Sequence, residues 1–357
     1  DVEDGVNHEE TSDYTWDPSS EINITLNGSS ITTSSSLVTI NGSTATITAA
    51  GNYNISGSLS DGRLIVDAGN NDLVRLILNS ATISNSLGPA ILIEKSQKTI
   101  INLAEGTQNT LSDGVTYANP ADDPNAAIFS KSDLTIFGAG SLTVDGKYKD
   151  GITSKDGLLL KSGTIISTAI DDGIRGKDYL VVEGGTITVN SGGDGLKSDN
   201  DANSGVGYIL IEDGTIKVTA AGDGIAAQTS VTVTGGDLDI KTGGGSTSIV
   251  SGDASAKGIK GLVNVTLAPA TCIINSADDA IHSNSKVVIN AGTFSLSTSD
   301  DAIHADAEIT VNDGTIAVAK CYEGLESHII TINKGDITIS STDDCFNATA
   351  GTRTEFN

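Results

Sequence analysis

The sequence predicts an all-β protein built as a right-handed parallel β-helix, a single-stranded solenoid of about 22 residues per coil. An acidic residue followed by a small and then an apolar one returns down more than half of the 357-residue chain. From Asp150 to Asp344 the steps between these motifs are close to 22 residues, except for two longer steps that indicate loop insertions. Short runs of period-two alternation separate the motifs, and no helical apolar period persists. A repeat of this kind without helices is typical of stacked coils.

The composition narrows the classes of partner. The net charge of −26 disfavours nucleic acid and anionic membranes, and favours cations or a polymer held through cations. No apolar stretch reaches the length of a membrane span, so we expect no membrane insertion. The chain begins at Asp1 and contains no Met, as a processed secreted protein would, although a deliberately trimmed chain would look the same. We expect an extracellular or cell-surface location and a monomer.

The elements are less regular near the beginning of the chain. Residues 1–21 are expected to form an N-terminal arm or cap, with Tyr14 and Trp16 as its large anchors. Residues 112–126 are expected to form an inserted loop, residues 22–350 a single β-helix domain and residues 351–357 a tail. Six short strands are predicted before that loop, at residues 22–26, 37–40, 45–48, 64–66, 73–78 and 99–103. Their uneven spacing suits a terminal segment that closes off a stack of repeats.

From residue 126 onward each coil is predicted to contain three short strands. Two residues after each acid lies an apolar side chain, and four residues after it lies a small one. The apolar positions are Ile152, Ile174, Leu196, Ile225, Ile259, Ile281, Ile303, Leu325 and Phe346. Stacked coils lie about 4.8 Å apart, so each column becomes a ladder of similar side chains. Cys272 occupies an inward position and is expected to be a core thiol, whereas a bridge between Cys321 and Cys345 is left open.

Stacking would also bring the carboxylates of the acidic column side by side. Neighbouring carboxylates about 5 Å apart repel by roughly 1 kcal/mol even in water, so the column needs protons, cations or metal. The bases nearby are too few to pair its C-terminal half; they are Lys155, Arg175, Lys177, Lys197 and Lys260. Hard oxygen ligands select calcium. The predicted metal ligands are Asp150, Asp171, Asp172, Asp194, Asp223, Asp278, Asp279, Asp300, Asp301, Glu323, Asp343 and Asp344.

These ligands are predicted to hold about three Ca²⁺ ions, each between an acid of one coil and the acid pair of the next. The predicted sites are Asp150 with Asp171 and Asp172, Asp279 with Asp300 and Asp301, and Glu323 with Asp343 and Asp344, while Asp194 and Asp223 are weaker or shared ligands. The alternative is that Asp-Gly pairs only form turns. His282 and His304 are expected to form a surface ladder, because two imidazoles alone do not make a transition-metal site.

Residues 126–350, with their repeated Asp-Asp-Gly-Ile motifs, resemble the calcium-binding carbohydrate-binding β-helix proteins of cellulolytic bacteria, which are similar to the pectate lyases of polysaccharide lyase family nine. The resemblance implies secretion, bound calcium and recognition of plant cell-wall polysaccharide, with pectin (polygalacturonate) and cellulose-like glucans as candidates. It implies, as an alternative, a calcium-dependent β-eliminating lyase in which Lys197 or Lys177 is the base. Arg175 stands where that family has an aspartate, which favours binding without catalysis.

The predicted glycan contacts are Arg175, Lys177, Lys197 and Tyr322. Aromatic residues make up only 4% of the chain, so a flat stacking platform is not expected. The insertions at about 199–207 and 242–255 are expected to form the walls of a groove over the metals. A structural or adhesive surface solenoid with purely structural metals is the third hypothesis.

Overall fold

The computed structural model describes residues 7–118, 123–250, 252 and 254–349. These residues form 36 strands and two short 3₁₀ turns, Thr11–Tyr14 and Pro18–Ser20, with no α-helix. No helix in the described part of the chain has the length and apolar character needed to cross a membrane. The chain divides into two compact units, Asp1–Thr188 and Val189–Asn357, and the boundary falls inside one strand.

The strands of the first unit are mostly four to six residues long, as the turn-rich sequence predicts. They are β1 (Glu21–Gly28), β2 (Ile31–Thr32), β3 (Val38–Asn41), β4 (Thr44–Ile47), β5 (Gly51–Leu59), β6 (Arg63–Asp67), β7 (Leu73–Ser84), β8 (Ile91–Lys95), β9 (Lys98–Leu103), β10 (Gln108–Ser112), β11 (Ala126–Ser130), β12 (Asp133–Gly138), β13 (Ser141–Gly146), β14 (Asp150–Ser154), β15 (Gly157–Leu160), β16 (Thr164–Ala169), β17 (Ile174–Gly176) and β18 (Tyr179–Val182). The strand that contains the boundary is β19 (Thr186–Ser191).

The second unit repeats the same three-strand rhythm. Its strands are β20 (Leu196–Ser198), β21 (Tyr208–Ile211), β22 (Thr215–Ala220), β23 (Ile225–Ala227), β24 (Ser230–Val233), β25 (Asp237–Thr242), β26 (Ile259–Gly261), β27 (Asn264–Leu267), β28 (Thr271–Ser276), β29 (Ile281–Ser283), β30 (Lys286–Ile289), β31 (Thr293–Thr298), β32 (Ile303–Val311), β33 (Thr315–Cys321), β34 (Leu325–Ile332), β35 (Asp336–Ser341) and β36 (Phe346–Ala348).

Within each unit a strand pairs in parallel with the strand three places further along the chain. In the first unit this holds from β10 with β13 through β15 with β18. In the second unit it holds from β20 with β23 through β29 with β32. After that, β32 and β34 are longer strands, each of which spans two of the three strand positions of its coil. Antiparallel pairing occurs at β1 with β2 and at β3 with β4. The all-β, mostly parallel architecture is therefore as predicted.

The strand register confirms the predicted apolar column within each unit. In the first unit Ile152 pairs with Ile174. In the second the register runs through Ile225, Ile259, Ile281, Ile303, Leu325 and Phe346. These side chains are fully buried except that of Phe346, in the last strand, which is exposed. Each buried Ile or Leu contributes roughly 1.5–3 kcal/mol, so this ladder is a main source of stability.

The glycines that follow the column acids are required for space and not for a turn. Gly151, Gly195 and Gly224 all lie outside the left-handed backbone region. A Cβ on Gly151 would lie 2.1 Å from Ser167 Oγ, and one on Gly224 would lie 2.4 Å from Ile240 Cγ2. The glycine of the Asp-Gly motif therefore lies where its backbone contacts neighbouring residues too closely for a side chain. The interpretation of the motif as a turn former does not explain this requirement.

The N-terminal segment from residue 7 packs against strands of the first unit. Asp13 is fully buried and lies 2.7 Å from Lys98 Nζ, which is buried as well. The two predicted anchors, Tyr14 and Trp16, both meet the ring of Phe137 edge-on, at centroid distances of 4.9 and 6.4 Å. A buried ion pair and an aromatic cluster together hold this segment in place.

Several predictions about individual elements need correction. Sequence reasoning missed β2, β5, β8 and β10. Part of the predicted loop at 112–126, residues 119–122, lies outside the described residues, as do residues 350–357 with the predicted tail. Cys272 is a fully buried core thiol as expected, while Cys321 and Cys345 are free, so no bridge joins them.

Candidate metal centre

The acidic column has a structural task that repeats from coil to coil. At Asp150, Asp194, Asp223 and Asp279, one carboxylate oxygen accepts a backbone N–H from the equivalent position one coil later. Asp172 N donates to Asp150 Oδ1 at 3.3 Å, and Asp301 N donates to Asp279 Oδ1 at 3.2 Å. Asp223 N donates to Asp194 Oδ1 at 2.9 Å. The carboxylates therefore complete the hydrogen bonding of a turn that the strand ladders leave open.

The second carboxylate oxygen usually meets a side-chain cation. Lys197 Nζ lies 2.9 Å from Asp194 Oδ2, and Lys260 Nζ lies 3.0 Å from Asp223 Oδ2. His304 Nδ1 lies 3.1 Å from Asp301 Oδ2. Most of these bases stand three residues after an acid of the column, on the strand that follows it. Of these three acids Asp301 belongs to the C-terminal half of the column, and its partner His304 is not one of the five bases considered from the sequence.

Asp150 is the exception in this pattern. Its Oδ2 accepts hydrogen bonds from two neutral donors, Asn125 Nδ2 at 2.7 Å and Thr153 Oγ1 at 2.9 Å. Among the described residues the cation that approaches it is Arg175, whose Nη1 is 4.0 Å from Oδ2. Asp150 is only 1% exposed, and burial followed by repulsion from Asp172 raises its pKa to about 7. This buried carboxyl group is therefore only partly balanced, by a guanidinium 4.0 Å away.

Two further acids complete a possible ligand cage around Asp150. One carboxylate oxygen from each of Asp150, Asp171 and Asp172 lies within 4.8 Å of the others. Asp172 is buried and Asp171 is exposed, so the cage is open to solvent on one side. Asn125 Oδ1, close by on the amide that binds Asp150, is buried and has no hydrogen-bond partner in the described structure. The structure thus brings together the three acids of the first predicted site and adds an amide that the sequence did not indicate.

The raised pKa of Asp150 predicts a pH dependence of stability. Between about pH 4 and pH 7 the folded protein keeps the Asp150 proton that the unfolded chain has lost. Stability from this group is therefore full below about pH 4 and falls by up to about 1.4 kcal/mol per pH unit as the pH rises towards 7. In chelator, we therefore expect the stability of Asp150→Asn relative to the wild type to increase with pH across this window. Urea unfolding at several pH values measures the difference, and a constant difference would contradict the prediction.

In place of the second predicted site, Asp279 with Asp300 and Asp301, the structure groups Asp278 with Asp279 and Asp300, and these acids already hold a cation of the protein itself. Oxygens of Asp278, Asp279 and Asp300 lie within 4.8 Å of one another. Lys257 Nζ lies 2.8 Å from Asp278 Oδ1 and 2.7 Å from Asp279 Oδ2. His282 Nδ1 also lies 2.7 Å from Asp279 Oδ2. Burial opposes ionisation of Asp279, but His282 and then Lys257 outweigh it and hold the pKa at about 2. Lys257 occupies the one column position without an acid, and its ammonium group balances carboxylate charge of the next coil.

The third predicted site is not assembled as a cluster in the described residues. Glu323 Oε2 accepts a hydrogen bond of 2.9 Å from Asn347 Nδ2. Asp343 accepts a hydrogen bond from the Tyr322 hydroxyl, which raises the pKa of that phenol. Neither Asp343 nor Asp344 joins Glu323 in a group of three ligand atoms within 4.8 Å. The last strand, which follows these acids, is exposed, so its carboxylates are not drawn inward as those of earlier coils are.

The two predicted ladder histidines stack, and carboxylates surround them. The rings of His282 and His304 are 5.0 Å apart at an interplanar angle of 26°. His304 Nδ1 lies 3.1 Å from Asp301 Oδ2 and 3.2 Å from Glu326 Oε2. The hydrogen bond to Asp301 is the main cause that raises the pKa of His304, to about 9. Sequence reasoning missed Glu326 because it lies outside the acidic column, although its three-residue offset from Glu323 matches that of the bases.

An open groove of about 580 Å³ lies beside the second acidic cluster. Asp278, Asp300 and Tyr322 contribute to its lining, together with Ile249 and Val250 from the loop between β25 and β26. Ile249 is 92% exposed and Tyr322 is 48% exposed. The loop at 242–255 therefore forms a groove wall as predicted, whereas residues 199–207 do not line this groove.

The three predicted basic glycan contacts have positions of their own that do not include this groove lining. Arg175 approaches Asp150 in the first unit, and Lys197 is ion-paired with Asp194 in the second. Lys177 follows β17, and its backbone N–H bonds Ser154 O at 2.9 Å. None of the three contributes to the groove lining, in contrast to Tyr322.

Comparisons with known proteins point to carbohydrate binding. A family model described as "Carbohydrate-binding domain-containing protein" matches residues 41–302 and, a second time, residues 282–324. A protein of that description from Acetivibrio thermocellus is 38% identical over 122 residues, which are 33% of this chain and 43% of the relative. The chain thus matches less than half of that relative. A gadolinium derivative of the polysaccharide lyase-like protein from C. thermocellum has a TM-score of 0.61 and 31% identity, over 63% of this chain and 92% of the other.

Proposed function

Because the chain belongs to the family of carbohydrate-binding domain-containing proteins, we propose that it binds plant cell-wall polysaccharide through the groove of the second unit. The observation that carries the proposal is the groove lining itself. Tyr322 and Ile249 offer exposed apolar surface to a sugar face, and Asp278 and Asp300 offer acceptors to its hydroxyl groups. A few placed polar groups on a partly apolar surface are what a carbohydrate ligand needs. In this proposal the protein works outside the cell or on its surface.

We further propose that one Ca²⁺ ion is held by Asp150, Asp171 and Asp172. Three carboxylates and the amide oxygen of Asn125 are hard oxygen ligands of the kind that calcium prefers. A divalent ion would place positive charge closer to the buried Asp150 than Arg175 does at 4.0 Å. The similar C. thermocellum structure is a gadolinium derivative, and gadolinium is likewise a hard cation. Asp194, Asp223, Asp279 and Asp301 have side-chain cations, and the third predicted site is not assembled in the described residues, so the proposal is for one strong site in place of three.

The finer architecture in this proposal is a right-handed parallel β-helix, with the three parallel ladders of each unit as its walls. Its coils carry the acidic turns on one edge, where calcium contributes to holding neighbouring coils together. An ion with an open coordination position at this edge would also attract the carboxylates of a uronate polymer. Polygalacturonate is therefore the first ligand to test, and cellulose-like glucan is the second.

The test is a pull-down of the purified chain on insoluble pectate and on cellulose, in calcium and in chelator. We expect retention on at least one polymer, and loss of retention in Tyr322→Ala and Ile249→Ser. The exposed Ile329→Ser is the matched control, because it removes a similar apolar side chain outside the groove. Equal retention of all variants, or no retention of the wild type on either polymer, would contradict groove binding. Better retention on pectate in calcium than in chelator supports the calcium contact.

The name of the structural neighbour also motivates a second candidate function, a calcium-dependent β-eliminating lyase. Its candidate base, Lys197, forms an ion pair with Asp194. That contact gives Lys197 a role in charge balance, which favours binding over elimination. Appearance of an unsaturated uronide absorbance from polygalacturonate at alkaline pH with calcium would reverse this preference.

A further inference from the structure

One imidazole nitrogen and two carboxylate oxygens converge in the second unit, and none of them belongs to the proposed calcium ligands. His304 Nδ1 lies 3.1 Å from Asp301 Oδ2 and 3.2 Å from Glu326 Oε2. We propose that His304, Asp301 and Glu326 bind a divalent transition-metal ion, with Zn²⁺ as the reference ion. This inference does not depend on the proposed polysaccharide or calcium binding.

The distances suit an ion of this class. Zinc binds histidine nitrogen and carboxylate oxygen at about 2.0–2.2 Å, so two ligands at a tetrahedral angle stand about 3.4 Å apart. The two measured separations from His304 Nδ1 are slightly shorter, and all three ligand atoms lie within 4.8 Å of one another. Three protein ligands with a fourth position open to solvent is the arrangement of an accessible zinc site. His304 and Glu326 are each about a quarter exposed, so an ion has a path inward.

A second observation is the way the rings are held. His304 Nε2 is 3.2 Å from Asp306 Oδ1, and His282 Nε2 is 2.9 Å from Asn284 Oδ1. Each outer nitrogen therefore has an acceptor two residues further on, which leaves Nδ1 of each ring directed at the carboxylates. Metal-binding histidines are oriented in this way, with the second nitrogen donating to a carboxylate or an amide. The repeat of the arrangement in consecutive coils shows that it is not an accident of one loop.

The neighbouring coil extends the ligand set. Asp279, His282 and His304 form a further group of three ligand atoms within 4.8 Å. The second imidazole is thus within reach of an ion bound at His304, although Asp279 is already engaged by Lys257. Imidazole selects zinc, copper or nickel over calcium, which separates this site from the all-oxygen cluster at Asp150. On binding, the ion replaces the proton on Nδ1, which is released to solvent.

The test is titration of the metal-free chain with ZnCl₂ near neutral pH, in excess calcium, by isothermal calorimetry. We expect one zinc ion per chain, with binding weakened at least about tenfold in His304→Gln and in Glu326→Gln. His328→Gln is the matched control, because this exposed histidine lies outside both ligand groups. Thermal unfolding of each variant without metal checks that the fold is intact.

Four results would overturn the proposal: no zinc binding by the wild type, unchanged binding in both site variants, equal weakening in His328→Gln, or displacement of zinc by calcium. The first of these would leave the two rings as an imidazolium ladder that only balances charge. Cobalt(II) provides a second readout, since its visible absorption reports nitrogen and oxygen coordination directly. The cobalt spectrum should weaken in the same two variants and persist in the control.

Discussion

Replacing Lys257 by methionine should destabilise the protein by about 3 kcal/mol in chelator, the scale of breaking a buried ion pair by removing one partner. The ammonium group bridges Asp278 and Asp279, and all three side chains are at most 15% exposed. Methionine keeps the apolar stem but leaves the two acids facing each other with Asp300 close by. The destabilisation should appear in urea unfolding as a lower midpoint.

The same variant should acquire a response to calcium. Once the ammonium is gone, three carboxylates remain around a space that a divalent ion fits. A ligand at about 100 times its dissociation constant adds about 2.7 kcal/mol of stability, close to the expected loss. The exposed Lys241→Met serves as control and should change stability by no more than about 0.5 kcal/mol. A Lys257→Met protein as stable as the wild type in chelator would show that the ion pair is not needed.

The 22-residue repeat allowed the fold class to be predicted from the sequence. A spacing of 22 residues together with period-two alternation predicts parallel ladders, and the register through Ile259, Ile281 and Ile303 follows that spacing. The strands before residue 112 were harder to predict because their spacing varies and polar residues interrupt them. In β5, for example, the buried Tyr53 and Ile55 alternate with Asn52, Asn54 and Ser56. Two apolar residues among three polar ones are a weak signal for a strand.

The candidate site was predictable only in part. Column spacing identifies which acids become neighbours, and the cluster of Asp150, Asp171 and Asp172 follows from it. It does not identify what balances them, because the balancing group is set by side-chain direction. Lys257 reaches forward to the next coil, whereas Lys197 folds back on Asp194 in its own coil. Asn125 precedes the regular repeat and gives no sequence signal for its contact with Asp150.

These contacts separate two uses of one motif. Where a base stands nearby, as at Asp223 with Lys260, the acid completes the backbone hydrogen bonds of the turn and the charge is balanced internally. Where the closest cation is more distant, as at Asp150 with Arg175 at 4.0 Å, the same turn keeps a buried carboxyl group whose charge is only partly balanced. The first use favours a stable stack of coils. The second is the use on which the proposed calcium site depends, because affinity for a cation depends on charge that the fold itself leaves unbalanced.

Replacing Asp150 by asparagine should therefore act in opposite directions with and without calcium. In chelator near pH 7 the variant should be as stable as the wild type or more stable, because the charge whose pKa is raised to about 7 has been removed. Its calcium affinity should fall by about 100-fold or more, since loss of even an outer-shell partner of a metal costs about 10–100-fold. Calorimetric titration with calcium measures the affinity, and urea unfolding in calcium and in chelator measures the stability.

The matched control is Asp213→Asn, which removes the charge of an exposed aspartate in a turn of the second unit. It should leave both quantities unchanged apart from weak long-range electrostatics. An Asp150→Asn protein that binds calcium as the wild type does would remove Asp150 from the ligand set. Strong destabilisation of that variant in chelator would instead show that Asp150 serves the fold through its bonds to Asn125, Thr153 and the Asp172 amide, as the paired acids of the column do.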